Sequence, residues 1–119
     1  MADLTLWHNP RCSKSRQAKE ILDAAGMPYE ERRYLDRPPT EMELDDVLHA
    51  LGMEPWELAR MGEAVADDLH LREESHDRAR WIELMVANPV LIERPILVTA
   101  DGRAVLGRPP EAIQPLLGA

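Results

Sequence analysis

The apolar residues change their spacing along this chain, and that change limits the folds it can adopt. A short, partly alternating run over residues 3–7 ends at the turn signal Asn9-Pro10, which predicts a buried strand. Helical spacing follows over residues 13–25. Strand patterns return over residues 96–99 and 104–106, separated by a tight-turn signal. Strands at both ends of a partly helical chain predict an α/β fold class.

The segment between these strands is predicted to contain one further strand and several helices. Residues 29–34 form a more polar strand pattern, which suits the edge of a sheet. Thr40 and Glu43 match a capping box that opens a helix reaching Leu51. The other predicted helices run from Pro55 to Arg60, from a Ser75 cap to about Ala87, and from Glu111 to Leu117.

The predicted order is strand, helix, strand, helical insertion, hairpin and helix. This order predicts a thioredoxin-like fold with a helical insertion, over approximately residues 40–88, before the C-terminal β-hairpin and helix. With 119 residues, the chain has the length of one domain and can bury most of its apolar surface without disulfides or a structural metal. We therefore expect a single domain over residues 1–119.

The formal net charge of −8 bears on the partners of the chain. A strongly acidic protein repels polyanions, so we expect no nucleic acid and no membrane among its partners. The N-terminal residues do not resemble a signal peptide, and no apolar run approaches the length of a membrane span. We therefore expect a cytoplasmic protein, and we expect it to be a monomer.

Cys12 is the only cysteine, and it lies between the first predicted strand and the first predicted helix. A thiol in the first turn of a helix meets the positive end of the helix dipole and unpaired backbone N–H groups, which favour the thiolate. His8, Arg16 and two further cations lie within a few residues. A structural cysteine is expected inside an apolar segment instead. The placement therefore predicts a reactive, catalytic thiolate.

Three neighbours are candidates for stabilising that thiolate: His8, Ser15 and Arg16. The His8 imidazolium could hold the thiolate, or His8 could simply end the strand. The Ser15 hydroxyl could donate to the thiolate one turn away, or it could satisfy a backbone group in the first turn.

The residues after Cys12 limit the chemistry that it can perform. Ser15 stands where a dithiol site carries its resolving cysteine, so an external thiol must complete any redox cycle. Ala18 stands where a low-molecular-weight phosphatase needs an arginine, which disfavours that activity. The histidines are scattered and no second cysteine is present, so we expect no metal and no tightly bound cofactor.

Arg60, Arg94 and Arg108 are the candidate anion-binding residues. Arg60 ends a predicted helix, Arg94 lies just before Pro95 at the start of a predicted strand, and Arg108 follows the last predicted strand. Guanidinium groups suit tetrahedral oxyanions because they offer bidentate donors. In a thioredoxin-like layout the segment before the third strand faces the cysteine, so Arg94 has the best topological position. Pro95 is a candidate for a cis peptide bond.

These residues resemble the glutaredoxin-coupled arsenate reductases, in their shorter branch, a family related to the Spx-type regulators. The run from His8 to Arg16 resembles the active-site loop of that family, Arg94-Pro95-Ile96 resembles its arginine-proline strand entry, and Gly107 to Glu111 resembles its C-terminal signature. Arg60 falls where the family carries its other anion-binding arginine. The resemblance spans nearly the whole chain.

The resemblance implies an arsenate reductase in which Cys12 attacks arsenic(V) and displaces water or hydroxide. Arg60, Arg94 and Arg108 would hold the arsenate oxygens. Glutathione, as a co-substrate, would then attack the adduct, and a glutaredoxin would complete the reduction and release arsenite. Two other functions stay open. One is an Spx-like regulator that binds RNA polymerase and senses oxidants through Cys12, and the other is a glutathione-dependent thiol oxidoreductase without arsenate activity.

Overall fold

Four short strands form one mixed sheet, and the other elements pack on its two faces. The strands are β1 (Leu4–Trp7), β2 (Glu30–Arg32), β3 (Ile96–Thr99) and β4 (Ala104–Leu106). Their order across the sheet is β2-β1-β3-β4, with β1 parallel to β2 and antiparallel to β3, and with β3 antiparallel to β4. This computed structural model describes residues 3–117, so the two residues at each end of the predicted 1–119 domain lie outside it.

The strands confirm most of the pattern predicted from apolar spacing. The structure places β1, β3 and β4 within or at their predicted ranges, and β2 lies at the sheet edge as expected. However, β2 is shorter than the predicted 29–34 segment. The chain turns at Arg33, whose carbonyl accepts hydrogen bonds from the backbone N–H groups of Asp36 and Arg37. This turn ends the strand and carries Tyr34 into the core.

Five α-helices lie within residues 3–117. They are α1 (Ser13–Ala24), α2 (Glu41–Leu51), α3 (Pro55–Leu58), α4 (Ala64–Asp68) and α5 (Arg78–Ala87). The predicted capping box of α2 is present, because the Glu43 backbone N–H donates to Thr40 Oγ1 at 3.1 Å and the Thr40 N–H donates to the Glu43 carboxylate at 2.9 Å. Over the same range, every helix is too short or too polar to span a bilayer.

Two predicted helix boundaries are wrong. Asp77, not Ser75, caps α5, and its carboxylate accepts from the Arg80 backbone N–H at 3.4 Å. The Ser75 carbonyl instead accepts from the indole N–H of Trp81 at 2.9 Å. The segment predicted from Pro55 to Arg60 ends at Leu58, because the next residue has extended backbone.

The last predicted helix has a different form, and the sequence pattern missed three short helices. A 3₁₀ helix occupies Pro110–Leu116, where Pro115 has no N–H to donate to the regular ladder of an α-helix. Helix α4 and the 3₁₀ helices Leu71–Glu73 and Pro89–Leu91 span three to five residues. Such segments are too short to show a helical period.

The sheet separates two groups of buried apolar side chains. One group, on the face covered by α1 and the C-terminal 3₁₀ helix, contains Leu4, Leu6, Ala18, Leu22, Leu97 and Ile113. The group on the other face is larger and includes Trp7, Leu44, Leu48, Trp81, Met85 and Ile96. Neighbouring residues of one strand therefore point to opposite faces, as strand geometry requires.

The register of the sheet brings three chain segments to one end. Trp7, the last residue of β1, pairs with Ile96 at the start of β3, and Ile96 pairs with Leu106 at the end of β4. The loop after β1, the segment before β3 and the segment after β4 must therefore lie side by side. This end of the sheet holds the candidate site.

Candidate active site

Cys12 is the N-cap residue of α1, and its side chain is partly exposed. Its backbone is extended, with φ −94° and ψ 123°, and its carbonyl accepts the first helical hydrogen bond from the Arg16 backbone N–H at 3.0 Å. Its own N–H donates to the Asn9 carbonyl at 3.0 Å, which closes a tight turn before the helix. The thiol therefore stands at the open, electropositive end of α1.

The surroundings of Cys12 favour the thiolate. Partial burial raises the pKa of the thiol, but the backbone N–H groups of Ser15 and Lys14 and the guanidinium group of Arg94 outweigh this effect, so the pKa is lower than usual. In addition, Nη2 of Arg108 lies 3.9 Å from Sγ. Positive charge and amide donors around a partly exposed thiol are the setting of a reactive cysteine.

Ser15 fixes the loop that precedes α1. Its hydroxyl is fully buried, accepts a hydrogen bond from the Asn9 backbone N–H at 3.0 Å, and lies 2.7 Å from Nδ1 of His8. Since the Asn9 N–H already donates to this oxygen, the hydroxyl proton is free to point at Nδ1. Ser15 thus links the end of β1 to the first turn of the helix that carries the thiol.

His8 and Arg16 also contact the loop rather than the sulfur. Burial lowers the pKa of His8, although Glu31 opposes this shift, so the neutral imidazole is favoured. Nη1 of Arg16 donates to the Pro10 carbonyl at 2.9 Å. A direct effect of His8, Ser15 and Arg16 on the thiolate stays a prediction, and the contacts made by their side chains organise the loop.

Arg94 and Arg108 approach the thiol from the two neighbouring strands. Arg94 precedes β3, is only 9% exposed, and is followed by a cis peptide bond to Pro95, as the sequence suggested. Arg108 follows β4, and its Nε donates to the Arg94 carbonyl at 2.9 Å. A second cis peptide bond joins Arg108 to Pro109, which the sequence did not indicate.

Arg60 reaches the same place through a short bridge between backbones. Ala59 and Ile92 form an isolated antiparallel pair, and the Arg60 N–H donates to the Leu91 carbonyl at 2.7 Å. This pairing places Arg60 beside Glu93, to which its Nη1 donates at 2.5 Å. The three arginines that the sequence singled out therefore share one end of the sheet with Cys12.

Two carboxylates hold these arginines, and sequence reasoning missed both. Glu93 Oε1 accepts from Arg60 Nη1 and lies 3.1 Å from Arg108 Nε. Glu63 Oε1 accepts from Arg60 Nε at 3.1 Å and lies 3.7 Å from Arg94 Nη1. The signals available in the sequence were the three-residue spacing from Arg60 to Glu63 and the direct adjacency of Glu93 and Arg94.

Tyr34 is a third residue of this region that the sequence did not indicate. It is fully buried, and its hydroxyl donates to the Ile92 carbonyl at 3.3 Å. Burial raises the pKa of Tyr34, so it stays neutral and forms an uncharged wall near Cys12 and Arg94.

Arg94 has unused hydrogen-bonding capacity. Its Nε and Nη1 atoms are buried, and neither has a hydrogen-bond partner among the described residues. Apart from the 3.7 Å ion pair between Nη1 and Glu63, these buried donors are unsatisfied, which is unfavourable, so the guanidinium group has donors available for an anion. Over residues 3–117, no three His, Cys, Asp or Glu side chains come together to form a metal site.

A cavity of about 520 Å³ lies elsewhere and does not include these residues. Its lining contains Leu4 and Thr99, the first residue of β1 and the last residue of β3. It therefore lies at the opposite end of the sheet from Cys12. The candidate site is instead a cluster of side chains around a partly exposed thiol.

Comparison with known proteins places this geometry in a family. A profile of the ArsC family matches residues 7–116. The chain is 44% identical over 117 residues to an uncharacterized protein in the glnII region of Streptomyces viridochromogenes, covering 96% of this chain and 98% of that protein. It is 40% identical over 121 residues to an arsenate reductase of Neisseria meningitidis, covering 98% of this chain and all of that protein.

A solved structure shows the same backbone arrangement. The arsenate reductase from Vibrio cholerae matches with a TM-score of 0.88 and 33% identity, covering 95% of this chain and 97% of that one. This match confirms the thioredoxin-like fold predicted from the order of strands and helices.

Proposed function

Because this chain belongs to the ArsC family, we propose that it reduces arsenate to arsenite with Cys12 as the nucleophile. Arg94 carries this proposal. It is a nearly buried cation with two donor atoms that have no hydrogen-bond partner among the described residues, and it favours the negative form of the neighbouring thiol. A tetrahedral oxyanion would supply the acceptors that these donors need, and it would bring its central atom to Sγ.

The first step would be attack of the Cys12 thiolate on arsenic(V). A sulfur–arsenic bond forms, and one arsenic–oxygen bond breaks, with the oxygen leaving as hydroxide or, after protonation, as water. Arg60, Arg94 and Arg108 would hold the remaining oxygens and stabilise their negative charge. Fixing the oxyanion beside the thiolate also lowers the entropy cost of reaching the transition state.

The reducing electrons would come from external thiols. The chain contains a single cysteine, so it offers no second thiol to resolve the adduct. Ser15, which stands where a dithiol site has its second cysteine, bonds to the Asn9 backbone and contacts His8. We infer that glutathione attacks the adduct and that a glutaredoxin completes the cycle. Glutathione forms a second sulfur–arsenic bond and displaces an oxygen as water. The glutaredoxin thiolate then attacks the glutathione sulfur, so the two external thiols become one mixed disulfide and arsenic gains two electrons. Water cleaves the remaining sulfur–arsenic(III) bond, which releases arsenite and regenerates the Cys12 thiolate.

The arginine cluster favours this function over the two alternatives. A thiol oxidoreductase acting on disulfides, or a regulator that binds RNA polymerase, does not need three guanidinium groups gathered beside its thiol. A small oxyanion substrate does need them.

The test is arsenate turnover by the purified protein. We expect arsenite production only when both glutathione and glutaredoxin are supplied. Cys12→Ser should reduce the rate to background, and Arg94→Met should reduce it about a hundredfold, as loss of an oxyanion-stabilising group does in other enzymes. Arg103→Met is the matched control, since this arginine is 60% exposed and paired with Asp101.

Equal rates for the wild type and Cys12→Ser would refute the enzymatic proposal. Turnover with glutathione alone would refute the role of glutaredoxin and leave the arsenate assignment standing. Recovery of RNA polymerase on the immobilised protein, together with no arsenate turnover, would favour the regulator instead.

A further inference from the structure

One carboxylate oxygen contacts all three arginine residues of the site. Glu93 Oε1 accepts from Arg60 Nη1 at 2.5 Å and from the backbone N–H of Arg94 at 3.2 Å, and it lies 3.1 Å from Arg108 Nε. Glu63 contacts two of these residues, through the side chains of Arg60 and Arg94, and makes no contact of this kind with Arg108 among the described residues. Glu93 therefore contacts each of the three chain segments that carry a candidate anion-binding arginine.

Glu93 also changes the charge of the site. The three arginines and two glutamates together carry one net positive charge, and a Cys12 thiolate cancels it. The Glu93 side chain is only 24% exposed, so solvent screens its charge less than at an open surface. An incoming oxyanion is therefore held by directed donors, with little surplus positive charge to bind anions in general.

We propose that Glu93 is a positioning residue that holds the side chains of Arg60 and Arg108, and the backbone of Arg94, in the geometry needed for thiolate attack. Its negative charge also keeps the affinity for unreactive oxyanions such as phosphate low. The proposal rests on the proposed function only for the identity of the reactive oxyanion. Discrimination would then come from formation of the sulfur–arsenic bond, because phosphate and arsenate have similar charge and shape.

The variant Glu93→Gln separates the two parts of this role. It keeps an oxygen acceptor at nearly the same position but removes the negative charge. The site then gains one positive charge, so anions should bind more tightly. The weaker, uncharged acceptor should hold the arginine donors less firmly, so turnover should slow. A purely structural role would weaken anion binding and turnover together.

The first measurement uses phosphate, which binds without reacting. Phosphate should protect Cys12 from alkylation by iodoacetamide, and the concentration for half protection should fall about fivefold in Glu93→Gln. Glu20→Gln is the control, because it removes the same charge from an exposed site on α1, and it should behave as the wild type. In the arsenate assay, kcat of Glu93→Gln should fall about tenfold while KM also falls.

A second variant keeps the test decisive if Glu93→Gln does not fold. Glu93→Asp keeps the charge but withdraws the carboxylate by one methylene group from Arg60 and Arg108. We expect phosphate protection within about twofold of the wild type, with kcat reduced about tenfold.

The results separate failure of this proposal from failure of the proposed function. Unchanged or weaker phosphate protection in Glu93→Gln, or a kcat equal to that of the wild type in either variant, would overturn the role of Glu93. Absence of arsenate turnover in the wild type would overturn the proposed function, and the phosphate measurement would still decide whether Glu93 limits anion affinity.

Discussion

Replacing Ser15 with alanine removes the hydroxyl that joins His8, Asn9 and α1. The hydroxyl is fully buried, so no solvent can replace it without rearrangement of the loop. The Asn9 backbone N–H, now bonded at 3.0 Å, and His8 Nδ1, now 2.7 Å from the oxygen, both lose their partner. Each buried group left unpaired costs about 1–3 kcal/mol.

Alanine recovers a small part of this loss, because it has a higher helix propensity than serine by about 0.5 kcal/mol. We therefore expect Ser15→Ala to lower the free energy of unfolding by about 3 kcal/mol. For a domain of this size, that corresponds to a urea midpoint lower by about 2 M. Urea unfolding followed by far-UV circular dichroism measures this change directly.

Ser13→Ala is the matched control, since Ser13 lies in the same helical turn and is exposed. It should change the free energy of unfolding by less than about 0.5 kcal/mol. If Ser15→Ala is as stable as Ser13→Ala, the hydroxyl does not hold the loop, and this account of how the thiol is positioned is wrong.

Three further predictions concern the site and its support. Because Arg94 lowers the pKa of Cys12, Arg94→Met should move the pH midpoint of Cys12 alkylation upward and slow alkylation at pH 7 several-fold. Burial lowers the pKa of His8, so the unfolded state binds a proton at this residue more readily than the folded state does. The free energy of unfolding should therefore decrease as the pH drops below about 6.5, and this decrease should be smaller in His8→Gln. A Cβ at Gly107 would lie 2.7 Å from Pro95 Cγ, so Gly107→Ala should lose about 1–3 kcal/mol of stability, measured by urea unfolding.

Matched variants test these three expectations. Arg103→Met should leave the pH profile of Cys12 alkylation unchanged. An equal shift in both arginine variants would mean that the net charge of the protein, and not the contact with Arg94, sets the pKa of Cys12. His49→Gln should keep the wild-type pH dependence, since His49 is 69% exposed. Gly62→Ala places its Cβ in open space and should be close to neutral; equal stability of the two glycine variants would contradict the predicted clash.

The strand and helix around Cys12 could be predicted because their signals are local. Apolar alternation ends at Asn9-Pro10, helical spacing begins at Ser13, and the only cysteine stands between them. The same holds for α2, where the capping box and Gly52, with φ 67°, bound the helix at both ends.

The convergence of the arginines could not be predicted from local signals. Arg60 reaches the site only because Ala59 pairs with Ile92, a contact between distant segments with no regular pattern. The role of Glu93 depends on that contact, since a glutamate beside an arginine in sequence is usually a solvated charge. For the Ser15 hydroxyl, the sequence left open a bond to the thiolate or to a backbone group of the first helical turn. Its contacts with the Asn9 backbone N–H and His8 depend on how the loop folds back onto the helix, which no local pattern shows.

We propose above that Cys12 and the arginines form one site for arsenate. An arsenic anomalous difference map from crystals soaked with arsenate, without any reductant, tests it most directly. We expect an arsenic peak at bonding distance from Cys12 Sγ, with the arsenate oxygens contacted by Arg94 and Arg108. A map without arsenic at Cys12 under saturating arsenate, or with arsenic bound only elsewhere, would contradict it.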